Sequence, residues 1–281
     1  MTATLNPTSP HPPAVTAGRQ TLRVTLPRVL LSEWTKFRSL RSTTYTLLVA
    51  AALSVGIGAL MCAVTASQYA TLPADEKAGF SALGASLQGT MFAQVAVGVL
   101  GVLLICGEYS TGMIRSSLTA VPRRLPVLWT KLGVSTAAVL VVATVSSFVA
   151  FFLGQALLHG HHLDVAISAP GALRSVFGAA LYLTVAGMIG LALGALFRNT
   201  AAGISTFAGV FFVLPLLTKL VPASWSSHFA QYLPSNAGGV LYGGTNGLAN
   251  QLTPWTGFAV LCGYAALLIA LAAWRLRRTD A

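Results

Sequence analysis

Only six acidic residues stand against 17 basic ones in the 281 residues, and their positions limit the chemistry on offer. Glu33, Asp75, Glu76, Glu108, Asp164 and Asp280 all fall in tails, in loops or at the edges of apolar runs. An ion-driven transporter needs a carboxylate, His or Lys within a span to hold its coupling ion. The polar groups inside the runs are milder: Gln94, Ser146, Ser147, Gln155, Thr184, Ser205 and Thr206. His159, His161, His162 and Asp164, in HGHHLD, are donor types that bind metals. Their spacing matches no defined site, so the expectation is a solvated loop and no metal. The chain has no G-x-x-x-x-G-K-[ST] segment to cradle phosphates and no Ser/His/Asp set in a recognisable context. It is therefore expected to be no enzyme, to carry no catalytic residue and to need no cofactor.

Segment 107–131, GEYSTGMIRSSLTAVPRRLPVLWTK, is polar and basic and is set between two apolar runs. Ile114, Leu118 and Val121 fall on one helical face, Arg115 and Thr119 on another. Gly112 loosens the start, and Pro122 ends the helix because it has no amide hydrogen to continue it. Two readings suit this pattern: a short amphipathic helix pressed on a partner, or a solvated loop. Glu108 and Lys131 stand at the two ends, where antiparallel neighbours bring them within reach of a pair; Glu108 with Arg115 is the other option. An exposed pair of this kind stabilises by at most about 1 kcal/mol.

These residues must be positioned by apolar elements, because 55% of the chain is apolar, only 8% is charged and mean hydropathy is +0.74. Six runs approach the length that crosses a bilayer: 44–66, 88–106, 132–153, 176–197, 201–217 and 255–274. Backbone groups in lipid must be satisfied within the segment, so the fold class is an all-α polytopic membrane protein. Gly190 and Gly194 form a Gly-x-x-x-Gly pair that permits close helix approach. Arg198, Asn199 and Thr200 alone join spans four and five as a tight hairpin. Ahead of the spans, residues 26–43 form an amphipathic helix. Leu26, Leu30, Trp34 and Phe37 share its apolar face, while Arg28, Lys36, Arg38 and Arg41 supply charge for lipid headgroups. Residues 1–25, rich in Pro, Thr and Ala, read as a disordered tail.

With the amino terminus inside, all but Lys77, Arg174 and Lys219 of the 17 basic residues fall on the cytoplasmic side. Both termini are then cytoplasmic, as are the loop 107–131 and the tail 276–281. The net charge of +11 is thus assigned to membrane orientation and lipid, with no nucleic-acid partner expected. On the outer side, loop 221–254 carries Trp225, Phe229, Tyr232, Leu241 and Tyr242 among glycines, and is expected to return to the membrane or dip into it. Cys62, Cys106 and Cys262 lie in or beside apolar runs and indicate no disulfide framework.

Two motifs, SEWTKFRSLRSTTYTLL and the E-Y-x-x-G-x-x-R-x-x-L-x-x-x-P-x-R pattern beginning at Glu108, together resemble the ABC-2-type permeases, membrane subunits of ATP-binding-cassette exporters. The resemblance covers nearly the whole chain. It implies that the amphipathic leader, with Glu33, Trp34, Lys36, Phe37, Arg38 and Arg41, is the family's elbow helix. It implies that Glu108, Tyr109, Gly112, Arg115, Leu118, Pro122, Arg123 and Arg124 belong to a cytoplasmic coupling helix docked on a separate ATPase subunit. Arg123 and Arg124 would meet carboxylates of that ATPase or lipid headgroups, and the long outer loop would be a re-entrant segment. A second permease subunit, identical or homologous, is implied as well. The expected function is export of an apolar or amphipathic substrate, such as a drug, a lipid-like molecule or a natural product, across the plasma membrane. The alternative is a non-transporting scaffold or sensor that docks an ATPase.

Overall fold

The computed structural model describes residues 26–112, 124–218, 220–222, 228–243 and 250–278. Among them no strand occurs, and six helical segments are long and apolar enough to cross a membrane: Arg41–Thr71, Ala82–Ser110, Leu125–His159, Ala172–Phe197, Thr200–Thr218 and Pro254–Arg278. This is the architecture of a multi-pass membrane protein.

In chain order the helices are α1 (Leu26–Ser39), α2 (Arg41–Gln68), α3 (Ala74–Gly79), α4 (Ala82–Leu87), α5 (Thr90–Ser110), α6 (Arg124–His159), α7 (Ala172–Phe197), α8 (Thr200–Ala208), α9 (Leu214–Thr218), α10 (Pro234–Gly239) and α11 (Pro254–Arg278). The expected number of spans is met, but their ends lie further out. α6 has 36 residues, about 54 Å at 1.5 Å each, well beyond a 30 Å hydrocarbon layer. It begins at Arg124, so the last eight residues assigned to the loop 107–131 are helical, with Pro126 tolerated in the first turn. α1 ends at Ser39, and Arg41 already opens α2, which shortens the 26–43 leader. Helical structure likewise continues to Arg278, into the segment read as a tail.

α7 is the central helix: it packs against α5, α6, α8 and α11 and is buried along nearly its whole length. Its glycines make this possible. A Cβ on Gly190 would stand 2.2 Å from the Gly98 carbonyl oxygen, and one on Gly101 would stand 2.3 Å from that of Gly187. α5 and α7 therefore touch backbone to backbone, in the manner of small-residue packing in lipid. Cys106 extends the contact with its thiol, 3.5 Å from the Gly194 carbonyl.

Local chemistry sets the breaks. The Asn199 side chain caps α8 by accepting from the Ala202 amide (3.0 Å), and Arg198 before it takes a left-handed φ of 54°, so these two residues suffice for the hairpin between spans four and five, Thr200 already being the first residue of α8. A π-helical turn at Gly209–Val213 follows α8. Pro215 cannot donate to the Phe211 carbonyl as an α-helix requires, and the wider turn relieves that clash. Span two is likewise interrupted at Gln88–Gly89, where a Gly89 Cβ would sit 2.1 Å from the Ser54 carbonyl.

Of the long loop 221–254, the described part 228–243 turns back into the protein. Asn236, Ala237, Leu241 and Tyr242 are buried between α7 and α11. A Cβ on Gly257 of α11 would meet the Ala237 oxygen at 2.2 Å, and one on Gly178 of α7 would meet Leu241 at 2.8 Å. Phe229 and Tyr232 stay exposed, and Trp225 lies outside the described residues. Beside this segment the Tyr182 hydroxyl donates to Gln94 Oε1, which accounts for one of the polar groups noted inside the spans.

Candidate functional site

The charged residues come together at one end of the bundle. Glu33 and Lys36 sit on α1, Glu108 near the last turn of α5, and Lys131 two turns into α6. Glu33, Glu108 and Lys131 are 4%, 5% and 7% exposed. Four ion pairs close them into a ring. Lys36 Nζ lies 2.8 Å from Glu33 Oε1, and Glu33 Oε2 lies 2.8 Å from Lys131 Nζ. Lys131 Nζ lies 2.9 Å from Glu108 Oε1, which is 3.3 Å from Lys36 Nζ. Charges alternate round the ring and sum to zero.

The helices dictate this arrangement. Glu33 and Lys36 are three residues apart and share a helical face. That face also carries Phe37, which packs on the main core, while Leu30, Leu31 and Trp34 are exposed. Trp34 and Phe37 stack in parallel, ring centroids 6.4 Å apart. α1 lies against α6 and α2, so its buried face meets Lys131. The pairing of Glu108 with Lys131 follows from neighbouring chain ends, but it is buried, not exposed as expected, and the surface estimate of its strength does not apply. Lys36, expected to face headgroups, bonds two carboxylates instead, while Arg38 and Arg41 are exposed.

Burial alone would raise the Glu33 carboxyl, but the Lys131 and then the Lys36 ammonium outweigh it and hold the group below its ordinary 4.5. Burial would lower Lys36, whereas Glu33 and Glu108 hold it above its ordinary 10.5. Desolvating four charges costs several kcal/mol per ion, about what their attraction returns. The ring therefore adds little net stability, and it joins α1, α5 and α6 at one place. Glu108 Oε2 is buried with no hydrogen-bond partner among the described residues.

Next to the ring, the Arg198 guanidinium lies over the Tyr109 ring, 5.1 Å from its centroid. Arg275 of α11 donates to the carbonyl of Leu196 at the end of α7. Gly112 follows α5 with a left-handed φ of 71°, and no described residue would come within 4 Å of a Cβ there. The structure thus gathers Glu108, Tyr109 and Lys36. Arg115, Leu118, Pro122 and Arg123 lie outside the described residues, as does the side chain of Arg124, so the amphipathic helix expected there does too. Sequence reading missed the pairing of Glu33. Its signal was Lys36 three residues on, the spacing at which opposite charges share one face of a helix.

At the opposite end Gln155 of α6 forms a smaller polar clamp. Its amide donates to Ser86 Oγ (2.8 Å), and its oxygen accepts from the Val165 amide (2.7 Å). His159 Nδ1 lies 3.1 Å from Asp164 Oδ2 on the exposed loop, where that hydrogen bond holds the Asp164 carboxyl below its ordinary value. Among the described residues no three His, Cys, Asp or Glu side chains gather to hold a metal, and the three cysteines are free. Compared with known proteins, the chain matches no family model and no curated protein.

Proposed function

We propose that this chain is the membrane subunit of an ATP-driven exporter of the ABC-2 type, working with a separate ATPase and a second permease subunit. In this reading α1 is the elbow helix lying at the cytoplasmic face, its exposed Leu30, Leu31 and Trp34 turned to lipid. The chain sits in the plasma membrane with both termini inside. Segment 113–123 is the coupling element, and 228–243 is the re-entrant segment.

The observation that carries the reading is the buried ion-pair ring. It binds the two helices flanking 113–123 to each other and to α1. A loop that only linked two spans would need no such anchorage. Buried charges are retained where geometry has to be specified, and force from a partner can pass only through rigidly held ends. The one buried carboxylate within a described span, Glu108, lies at the span's end and is paired with lysines, and the sequence has no nucleotide loop, so energy is drawn from another protein.

The test is capture of the tagged chain from cross-linked native membranes, followed by reconstitution with the ATPase identified in the complex. ATP hydrolysis is expected only with that subunit, together with ATP-dependent movement of a fluorescent amphipathic dye across the vesicle wall. Steady hydrolysis by the chain alone would overturn the reading, as would a purified complex without a nucleotide-binding subunit. Binding and hydrolysis with no flux of any amphipathic probe would favour a docking scaffold.

A further inference from the structure

Glu33 and Lys36 stand on α1, which takes no part in the spans, yet they make three of the four edges of the ring. Glu108 and Lys131 by themselves would share a single edge. That edge ties the ends of α5 and α6 at one point, beyond the stretches where α2 and α7 hold both helices. Adding Glu33 to Lys131 and Lys36 to Glu108 gives each loop-flanking helix a second attachment on a common rigid element. α5 and α6 make few other contacts with each other, while α6 packs along α1.

We infer that Glu33 and Lys36 are positioning residues that make α1 the frame setting the relative direction of the ends of α5 and α6. The inference rests on reading 113–123 as the docking loop, and gives α1 a mechanical role besides its contact with lipid. The ring also makes a demand that a simple ion pair does not. Because signs alternate round four positions, reversing one residue turns two attractive edges repulsive. Reversing Glu33 and Lys131 together restores the edge between them but leaves Lys36 facing a lysine and Glu108 facing a glutamate. Only reversal of all four residues restores every edge.

Spin labels on Arg38→Cys in α1 and Thr111→Cys at the loop start, both exposed positions, report the geometry in lipid nanodiscs diluted with unlabelled chain. One narrow distance peak is expected for the parent. Glu33→Gln and the gentler Lys36→Met, at the most accessible corner, should lose it to a broad distribution. Glu33→Lys with Lys131→Glu should stay broad, and the fourfold reversal Glu33→Lys, Lys36→Glu, Glu108→Lys, Lys131→Glu should regain the narrow peak. Unchanged peaks in Glu33→Gln and Lys36→Met would mean that packing alone places α1, and would overturn the inference. A double reversal as narrow as the fourfold one would reduce the ring to an isolated pair and overturn it equally. If single variants fail to accumulate, the double and fourfold variants still decide. The distance measurement needs no partner, so failure to find an ATPase would count against the exporter reading and leave this result standing.

Discussion

The α5–α7 seam yields a prediction whose sign depends on tertiary structure. Consider the same change, Gly→Ala, at two helical positions. At Gly263 of α11 no described group outside the local helix backbone lies within 4 Å of the added methyl. The substitution there gains helix propensity of about 0.5–1 kcal/mol. At Gly190 the methyl would lie 2.2 Å from the Gly98 oxygen, more than 1 Å short of ordinary contact. The obstacle is backbone on a packed helix, with no side chain to swing aside. α5 and α7 must part, and dispersion contacts are lost along the seam. Overpacking of this kind costs about 1–3 kcal/mol, which exceeds the propensity gain. The assay is apparent melting of detergent-solubilised protein, followed by fluorescence-detected size exclusion. Gly263→Ala should melt at or above the parent, and Gly190→Ala several degrees below it. Gly101→Ala, which would meet the Gly187 oxygen at 2.3 Å, should fall with Gly190→Ala. If Gly190→Ala melted with Gly263→Ala, the backbone-to-backbone contact and the central place of α7 would both be refuted.

Lys131→Met leaves Glu33 and Glu108 buried with only Lys36, among the described residues, to share. It should cost about 3–5 kcal/mol and lower the apparent melting temperature more than Arg38→Met, which touches nothing in the ring. Stability should also depend on pH in a defined direction. Glu33 sits below its ordinary 4.5, so its contribution is present above that pH and fades as pH falls through the folded value. Lys36 sits above its ordinary 10.5, so its contribution is present below that pH and fades as pH rises through the folded value. A Glu33→Gln, Lys36→Met double variant should flatten both limbs of a melting-temperature profile; limbs unchanged from the parent would point to other groups. Leu118→Asp should leave membrane abundance intact and lower ATPase copurification, because truncating or charging a buried anchor commonly costs 2 kcal/mol or more; full binding would remove 113–123 from the docking surface. An impermeant thiol reagent applied to sealed cells should label Ser67→Cys and Ala249→Cys and spare Ser117→Cys; labelling of the last would invert the orientation.

Periodicity and composition alone determined the fold class and the number of spans, because an apolar run near 20 residues has one low-energy solution in lipid: a helix that satisfies its own backbone. The meeting of Glu108 and Lys131 was legible for a similar reason, since both stand where consecutive helices approach one face. The tight turn at Arg198 to Thr200 was legible from its length. Tertiary structure decided the rest. Glu33 finds Lys131, and Lys36 finds Glu108, only because α1 packs against α6, a placement set by packing that no local pattern encodes. The Gly190–Gly194 pair announces a close approach, but its partners Gly98 and Gly101 are chosen by which helices end up adjacent. Loop 221–254 could be read as apolar, yet the burial of Leu241 and Tyr242 required the groove that α7 and α11 form together. Local sequence sets what each segment tends to become, and long-range packing sets what each charge and each glycine meets.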